Sequence, residues 1–338
     1  FCNSKIDTMR KKHFLFASVL ALLCGSSALH AQDFKLTSSG YFKNQGVDIM
    51  AFDDIYPEGH QGGVCIIMNG HRVATNGDIR LEATPGQWQP VPKQLDRKLG
   101  DNSITATLCY PDSSRHLTGF NPMIYPDLHL IYTVNVESKG KNIEVTVDLD
   151  RPIPQEFIGK VGFNLEFFPG SLFGKPWIMD GQSGIFPQQP NSPLMTTQPN
   201  YLHTGNYHDG KKSLADMDKL IGKGYSPIVA DDIISEPYAK GTKFTSRPDD
   251  PYNKVTIESL SGDLQLFDGR MNHNNGWFVL RSNIKPGVTK GAVKWIITPN
   301  VVADWMYQPV IQTSQIGYHP TQDKEAVRTS LLPTGVNS

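Results

Sequence analysis

The chain runs to 338 residues with 32 basic and 33 acidic side chains, a formal net charge of −1. So even a balance gives no electrostatic footprint for nucleic acid or for an anionic membrane surface. Glycine (30), proline (24) and a 10% share of aromatics suit many short strands joined by tight turns better than helices.

Phe1 to Thr8 precede the first methionine, Met9, and read as an upstream extension of the frame. Arg10, Lys11 and Lys12 form a cationic start, and an apolar run from Phe14 to Cys24 follows, broken only by Ser18. Small residues then lead to Ala31 and the polar pair Gln32-Asp33. This three-part layout predicts a secretory signal over residues 9–31, cleaved after Ala31. The apolar run is shorter than the roughly 20 residues that span a bilayer. Cys24 as a lipidated residue is a second reading, against which stand the bulky Leu22 and Leu23 where small residues are needed. Export through the Sec pathway is expected, to the periplasm, the cell surface or the exterior.

Beyond Gln32 the period is that of strands. Runs at Gly63–Met68, Ile79–Ala83 and Ile104–Tyr110 are followed by Leu128–Val136, where apolar residues fall on alternate positions. A turn over Ser138-Lys139-Gly140-Lys141-Asn142 joins this run to Ile143–Leu149, the clearest hairpin of the chain. Further strands are expected at Val161–Phe168, Lys254–Leu260, Leu264–Phe267, Trp277–Arg281 and Ala292–Thr298. Alternation with one wet face and one dry face predicts an all-β fold, a large antiparallel β-sandwich over residues 32–305. Cys65 and Cys109 are the cysteines beyond the signal; each lies in an apolar run and fits either a disulfide or a buried thiol. Their spacing is not that of a metal site, and no cofactor is expected.

A long irregular stretch from Phe168 to Lys243 interrupts the strands, with one helix expected at Ser213–Ile221. Stretches of this kind inside a compact domain are often functional. Trp177 lies there, with Tyr201, Tyr207 and Tyr225, and sugars are bound by stacking their apolar faces on such rings. Trp177, Tyr201 and Tyr207 are therefore candidate glycan contacts; the alternative is that Trp177 packs a loop onto the sandwich. Trp277 and Trp295 sit in alternating runs and are expected in the core, whereas Trp88 and Trp305 lie near loops. His203 and His208 read as loop polar groups rather than metal ligands. The acidic pairs Asp53-Asp54, Asp231-Asp232 and Asp249-Asp250 read as turn carboxylates. No nucleophile-elbow motif or phosphate loop occurs, so no catalytic residue is assigned.

The last segment reads Val310-Ile311-Gln312-Thr313-Ser314-Gln315-Ile316-Gly317-Tyr318-His319-Pro320, then Asp323-Lys324-Glu325-Ala326-Val327. Val310–Ile316 predicts a strand, Gly317 and Pro320 a turn, and Ala326-Val327 the return strand. Tyr318 would anchor the turn through its hydroxyl. The ordered set Gln315, Gly317, Tyr318 and Pro320 resembles the opening of the immunoglobulin-like domain that precedes the catalytic domain in many family 9 glycoside hydrolases, the cellulase family. On that resemblance, residues 306–338 are the first strands of an immunoglobulin-like β-sandwich, and a helical catalytic barrel belongs to the parent enzyme. Such enzymes cleave β-1,4-glucan linkages with inversion, which takes two carboxyl groups about 6.5–9.5 Å apart. The family's Asp-Ala-Gly-Asp type motif does not occur in this sequence, so no catalytic residue carries over. The resemblance implies a non-catalytic part of a secreted hydrolase, partnered by a plant-type β-glucan or related polysaccharide and by its own catalytic domain. A stand-alone carbohydrate-binding or surface-assembly protein is the other reading.

Overall fold

Alternation of apolar and polar residues decides which strands form and which way they face. The protein is described by a computed structural model over residues 33–53, 62–82, 85, 92–110, 128–190, 236–271, 276–307 and 310–329. Strands β1 (Lys35–Leu36), β2 (Phe42–Asn44), β3 (Val47–Ala51), β4 (Val64–Met68) and β5 (His71–Leu81) form one meander. A second meander comprises β6 (Lys93–Leu99), β7 (Ser103–Tyr110), β8 (Leu130–Lys139) and β9 (Asn142–Leu149). The chain then alternates between the two sheets. β10 (Val161–Phe167) joins the first, and the hairpin of β11 (Pro176–Met179) and β12 (Gln182–Ile185) joins the second. β13 (Ala239–Gly241) joins the first, and β14 (Lys243–Ser246) and β15 (Val255–Ser259) the second. β16 (Leu264–Asp268) and β17 (Phe278–Asn283) return to the first, and β18 (Val293–Pro299) to the second.

The result is two nine-stranded antiparallel sheets, ordered β1-β2-β3-β4-β5-β10-β17-β16-β13 and β12-β11-β14-β15-β18-β9-β8-β7-β6. They pack face to face. Phe163 of β10 meets Trp295 of β18 edge-on at 5.0 Å, and Phe167 meets Phe244 of β14 at 5.8 Å. Each such pair adds about 0.5–1.5 kcal/mol beyond the area it buries. The Trp295 indole also donates to Ser282 Oγ at 3.0 Å, so its one polar group is satisfied inside the core. Trp277 is half-buried, edge-on to Phe168 at 4.4 Å.

The expected hairpin is present and tighter than its sequence suggests. β8 and β9 pair to Lys139↔Asn142, which leaves Gly140-Lys141 as a two-residue turn. Gly140 takes φ 68°, the left-handed first position such a turn requires. Helix among the described residues is limited to three short 3₁₀ segments, Gln155–Phe157, Pro169–Ser171 and Gly269–Met271. The helix expected at Ser213–Ile221 lies outside the described residues.

One expectation changes, one strand was not foreseen, and one open question is decided. The stretch from Phe168 to Lys243 is not irregular throughout, because β11, β12 and β13 are built from it. These strands are three or four residues long, too short to print a period, and pairing with neighbours forms them. β6 shows no alternation because it is a charged edge strand with no dry face, a device that blunts edge pairing. Cys65 and Cys109 lie on opposite sheets and form no disulfide, which decides between the two readings of the sequence. Cys65 is buried, with its sulfur 3.0 Å from Gly62 O and 3.1 Å from Thr75 Oγ1, and Cys109 is half-buried.

After β18 the chain forms a separate two-stranded sheet, β19 (Val310–Thr313) paired with β20 (Ala326–Thr329). The first strand stops at Thr313 rather than Ile316, because Ser314 to Gly317 turn the chain, with Gly317 at φ 80°. Tyr318 holds this turn through its hydroxyl, accepting from Ser314 N at 3.2 Å and donating to Glu325 O. Gln315 and Pro320 are exposed around it.

Candidate functional site

Of the three candidate glycan contacts in the long stretch, only Trp177 lies among the described residues. Trp177 is only 6% exposed and packs in the core, its indole over Gly184, the cross-strand partner on β12. That is the packing alternative, and it leaves no open ring face for a sugar. Tyr201 and Tyr207 lie outside the described residues, as do His203, His208, Asp231, Asp232 and Ala31. Asp250 is a turn carboxylate: Tyr252 N donates to it at 2.9 Å and Asn253 Nδ2 at 3.2 Å, and Arg247 pairs with it. Burial pushes its pKa up, but those hydrogen bonds and the guanidinium outweigh burial and hold it below the usual carboxylate range. Asp53 stands 3.8 Å from Arg97 at the surface.

An exposed aromatic cleft lies elsewhere, beside the exit from β18. Asn69-Gly70 closes the β4–β5 hairpin with both residues at positive φ (53° and 82°), as a two-residue turn of this sequence does. Asn69 Nδ2 donates to Tyr252 O at 2.6 Å, and Asn69 N to Gly46 O at 2.6 Å. Three loops are thereby drawn together: the β2–β3 turn, the β4–β5 turn and the loop between β14 and β15. Over them runs the segment after β18. Asn300 ties its start to that third loop, through Nδ2 to Pro251 O at 2.7 Å and through N to Lys254 O at 2.9 Å.

Trp305 then settles on Gly46 and Tyr307 on Gly70. A Cβ at either glycine would come within 2.6 Å and 2.8 Å of the respective ring. The two rings meet edge-on at 4.2 Å. Between this segment and the loops opens a cleft of about 660 Å³, lined by Asn69, Gly70, His71, Tyr252, Asp304, Trp305, Met306 and Tyr307. Its apolar groups face solvent: Tyr252 is 49% exposed, Met306 62% and Tyr307 37%. Burial, helped by the charge of Asp48, raises the Tyr307 pKa, so its hydroxyl keeps its proton and can donate. A cleft of this size, walled by aromatics and rimmed by an amide, an imidazole and a carboxylate, suits a neutral polyhydroxylated ligand.

A second cluster is charged and closed. Glu82 and Arg281 meet at 3.2 Å, both buried, with Asn164 bonded to each. Arg281 further donates to Glu82 O, Lys160 O and Asn283 Oδ1 at 3.2, 2.8 and 2.7 Å. Asp78 accepts from the Tyr132 hydroxyl at 2.8 Å and stands 3.5 Å from Arg80. Burial raises Glu82 to about 7, against the pull of Arg281 and Asn164 and with a push from Glu166. Burial likewise raises Asp78 to about 6, against Arg80 and Tyr132. Carboxyls of such pKa suit proton transfer in general, but these have no open face, and their hydrogen bonds are those of a structural network. Among the described residues no group of three His, Cys, Asp or Glu side chains is placed to hold a metal ion.

The sequence carried a signal for each cluster. Asp78, Arg80 and Glu82 alternate with Ile79 and Leu81, which reads as one wet strand face; only the assembled structure shows that face covered. Asn69-Gly70 is a turn signal that places His71 at a hairpin tip. Nothing local pairs that turn with Trp305, 236 positions beyond Asn69.

No family model matches the chain, and a search of curated proteins finds no match. Among solved structures, the Slr1438 protein of Synechocystis sp. PCC 6803 aligns at 9% identity and TM-score 0.32, over 79% of this chain and 96% of its own. HI1317 aligns at 10% identity and TM-score 0.30, over 78% and 93%. The YeaD protein of Salmonella typhimurium aligns at 7% identity and TM-score 0.27, over 84% and 98%. Likenesses at these scores carry no argument about this chain.

Proposed function

We propose that this chain is the non-catalytic, glycan-contacting β-sandwich of an exported polysaccharide-degrading enzyme of the family 9 glycoside hydrolase type. The observation that carries the reading is the exposed cleft of Tyr252, Trp305 and Tyr307 rimmed by Asn69, His71 and Asp304. A β-glucan offers apolar ring faces edged by hydroxyls, and that chemistry matches aromatic walls with polar groups at their rim. The resemblance of the Ser314–Pro320 segment to the immunoglobulin-like module of that family supports the parent enzyme class. In this reading the sandwich holds or orients the polymer, and bond cleavage belongs to the parent's catalytic domain.

Calorimetric titration of the full chain with soluble mixed-linkage β-glucan and with xyloglucan tests the reading. Saturable binding that the double variant Tyr252→Ala/Trp305→Ala loses is the expected result. Absence of binding to both polymers, or unchanged affinity in the double variant, overturns it. Release of reducing ends by the chain alone would refute its non-catalytic part. A stand-alone binding protein would share the cleft. Continuation of the reading frame past Ser338 into the family's acidic motif separates the two.

A further inference from the structure

The two walls of the cleft have different origins. One wall is the sandwich itself, through Asn69, Gly70, His71 and Tyr252. The other is Asp304 to Tyr307, the segment that leads from β18 into the β19–β20 hairpin. We infer that a saccharide in this cleft clamps the 304–307 segment to the sandwich and thereby fixes how the following hairpin is carried. This rests on the glycan-binding reading of the same site and adds a regulatory consequence to it.

The docking contacts are few and local. Gln45 Nε2 donates to Trp305 O and the two rings sit on Gly46 and Gly70, while Trp305 N donates to Val302 O at 3.1 Å within the segment itself. Both glycines are at hairpin turns with left-handed backbone, at φ 66° and 82°. The bare backbone at those turns is what lets the rings approach. Met306 and Tyr307 remain substantially exposed, so little apolar area holds the segment down. A segment held this weakly opens locally at low cost in free energy. A ligand touching both walls binds the docked form and not the open one, and by linkage it stabilises the docked form by its full differential affinity. The segment is covalently continuous with β19, so its docking limits the freedom of the hairpin.

Hydrogen exchange on the full chain, with and without a saturating mixed-linkage β-glucan oligosaccharide, tests the clamp. Amides of residues 301–307 should exchange about tenfold or more slower with the saccharide, within the ~100-fold that linkage allows at 100 times Kd. Gly46→Val would push into Trp305 but also strains a left-handed position. Gln45→Ala therefore serves as the second variant, since it removes only the hydrogen bond to Trp305 O. Both variants should speed exchange of 301–307 in the free chain and weaken saccharide binding by about two- to tenfold. Saturable binding with unchanged exchange over 301–307 overturns the clamp and leaves the glycan site standing. Wild-type saccharide affinity in Gln45→Ala, with its exchange over 301–307 also unchanged, overturns it as well. Failure of the wild-type chain to bind the saccharide at all overturns the site and the clamp together.

Discussion

Glu82 and Arg281 stand 199 positions apart in sequence and meet at 3.2 Å between β5 and β17, both closed off from solvent. Neither sits on a directly paired strand. β10 lies between them, and its Asn164 bonds to both carboxylate and guanidinium. The guanidinium also donates to Lys160 O and Asn283 Oδ1, so it is the hub of this network and the carboxylate one of its acceptors.

Arg281→Met takes the donor from Glu82, Asn164 Oδ1, Lys160 O and Asn283 Oδ1 at once and should destabilise the fold by about 3–5 kcal/mol, whereas Glu82→Gln leaves those other bonds in place and should cost less. Urea unfolding at neutral pH measures the difference. Equal costs for the two variants would show that the other acceptors of Arg281 contribute nothing beyond its pair with Glu82.

The pH dependence of these carboxyls has a definite sign. Glu82 at about 7 and Asp78 at about 6 both lie above their ordinary values, raised chiefly by burial. The folded state then holds protons that the unfolded chain has released. The stability these groups contribute is present below the unfolded pKa, near pH 4, and is lost as pH rises through 6 to 7. Glu82→Gln cannot ionise, so its stability relative to the parent chain should improve from pH 5 to pH 8. Denaturation midpoints at the two pH values read this directly, and a shift in the opposite direction would contradict it.

Trp177 and Gly184 face each other across β11 and β12 so closely that a Cβ on the glycine would sit 2.5 Å from Cζ2. Gly184→Val should cost about 1–3 kcal/mol through overpacking, and Trp177→Ala about 3–5 kcal/mol through the cavity it leaves. Trp177→Phe, a milder change in the same pocket, should leave β-glucan affinity unchanged because that ring is not at the cleft. Loss of affinity in a variant that is still folded would return Trp177 to the list of glycan contacts.

Tyr318→Phe removes the hydroxyl that joins Ser314 N to Glu325 O across the β19–β20 turn. The expected effect is faster amide exchange confined to residues 314–326, with the unfolding midpoint of the sandwich unchanged. Lost global stability would mean that the hairpin and the sandwich fold as one cooperative unit.

Long alternating strands were legible in the sequence because one face of each is dry. Ile104, Ala106 and Leu108 of β7, and Ile143, Val145 and Val147 of β9, print a period of two without help from the rest of the chain. Trp295 was legible for the same reason. β1 to β3 and β11 to β13 were not, because two- to five-residue strands between turns carry too few positions to show a period. The Tyr318 turn was readable as a local motif, since every partner of its hydroxyl lies within seven positions.

The sequence by itself determined the all-β class, the chief hairpin and the turn that follows β19, since each depends on neighbours along the chain. Tertiary structure alone decided what the aromatic and charged residues are for. It buried Trp177, for which glycan contact and packing were both open, and brought Trp305 over Gly46 to wall a cleft. It also covered Asp78, Arg80 and Glu82, which alternation would leave wet. The physical reason is that alternation fixes which face of a strand a side chain occupies. Only the packing of distant loops and strands fixes whether that face meets water, a ligand or another part of the chain.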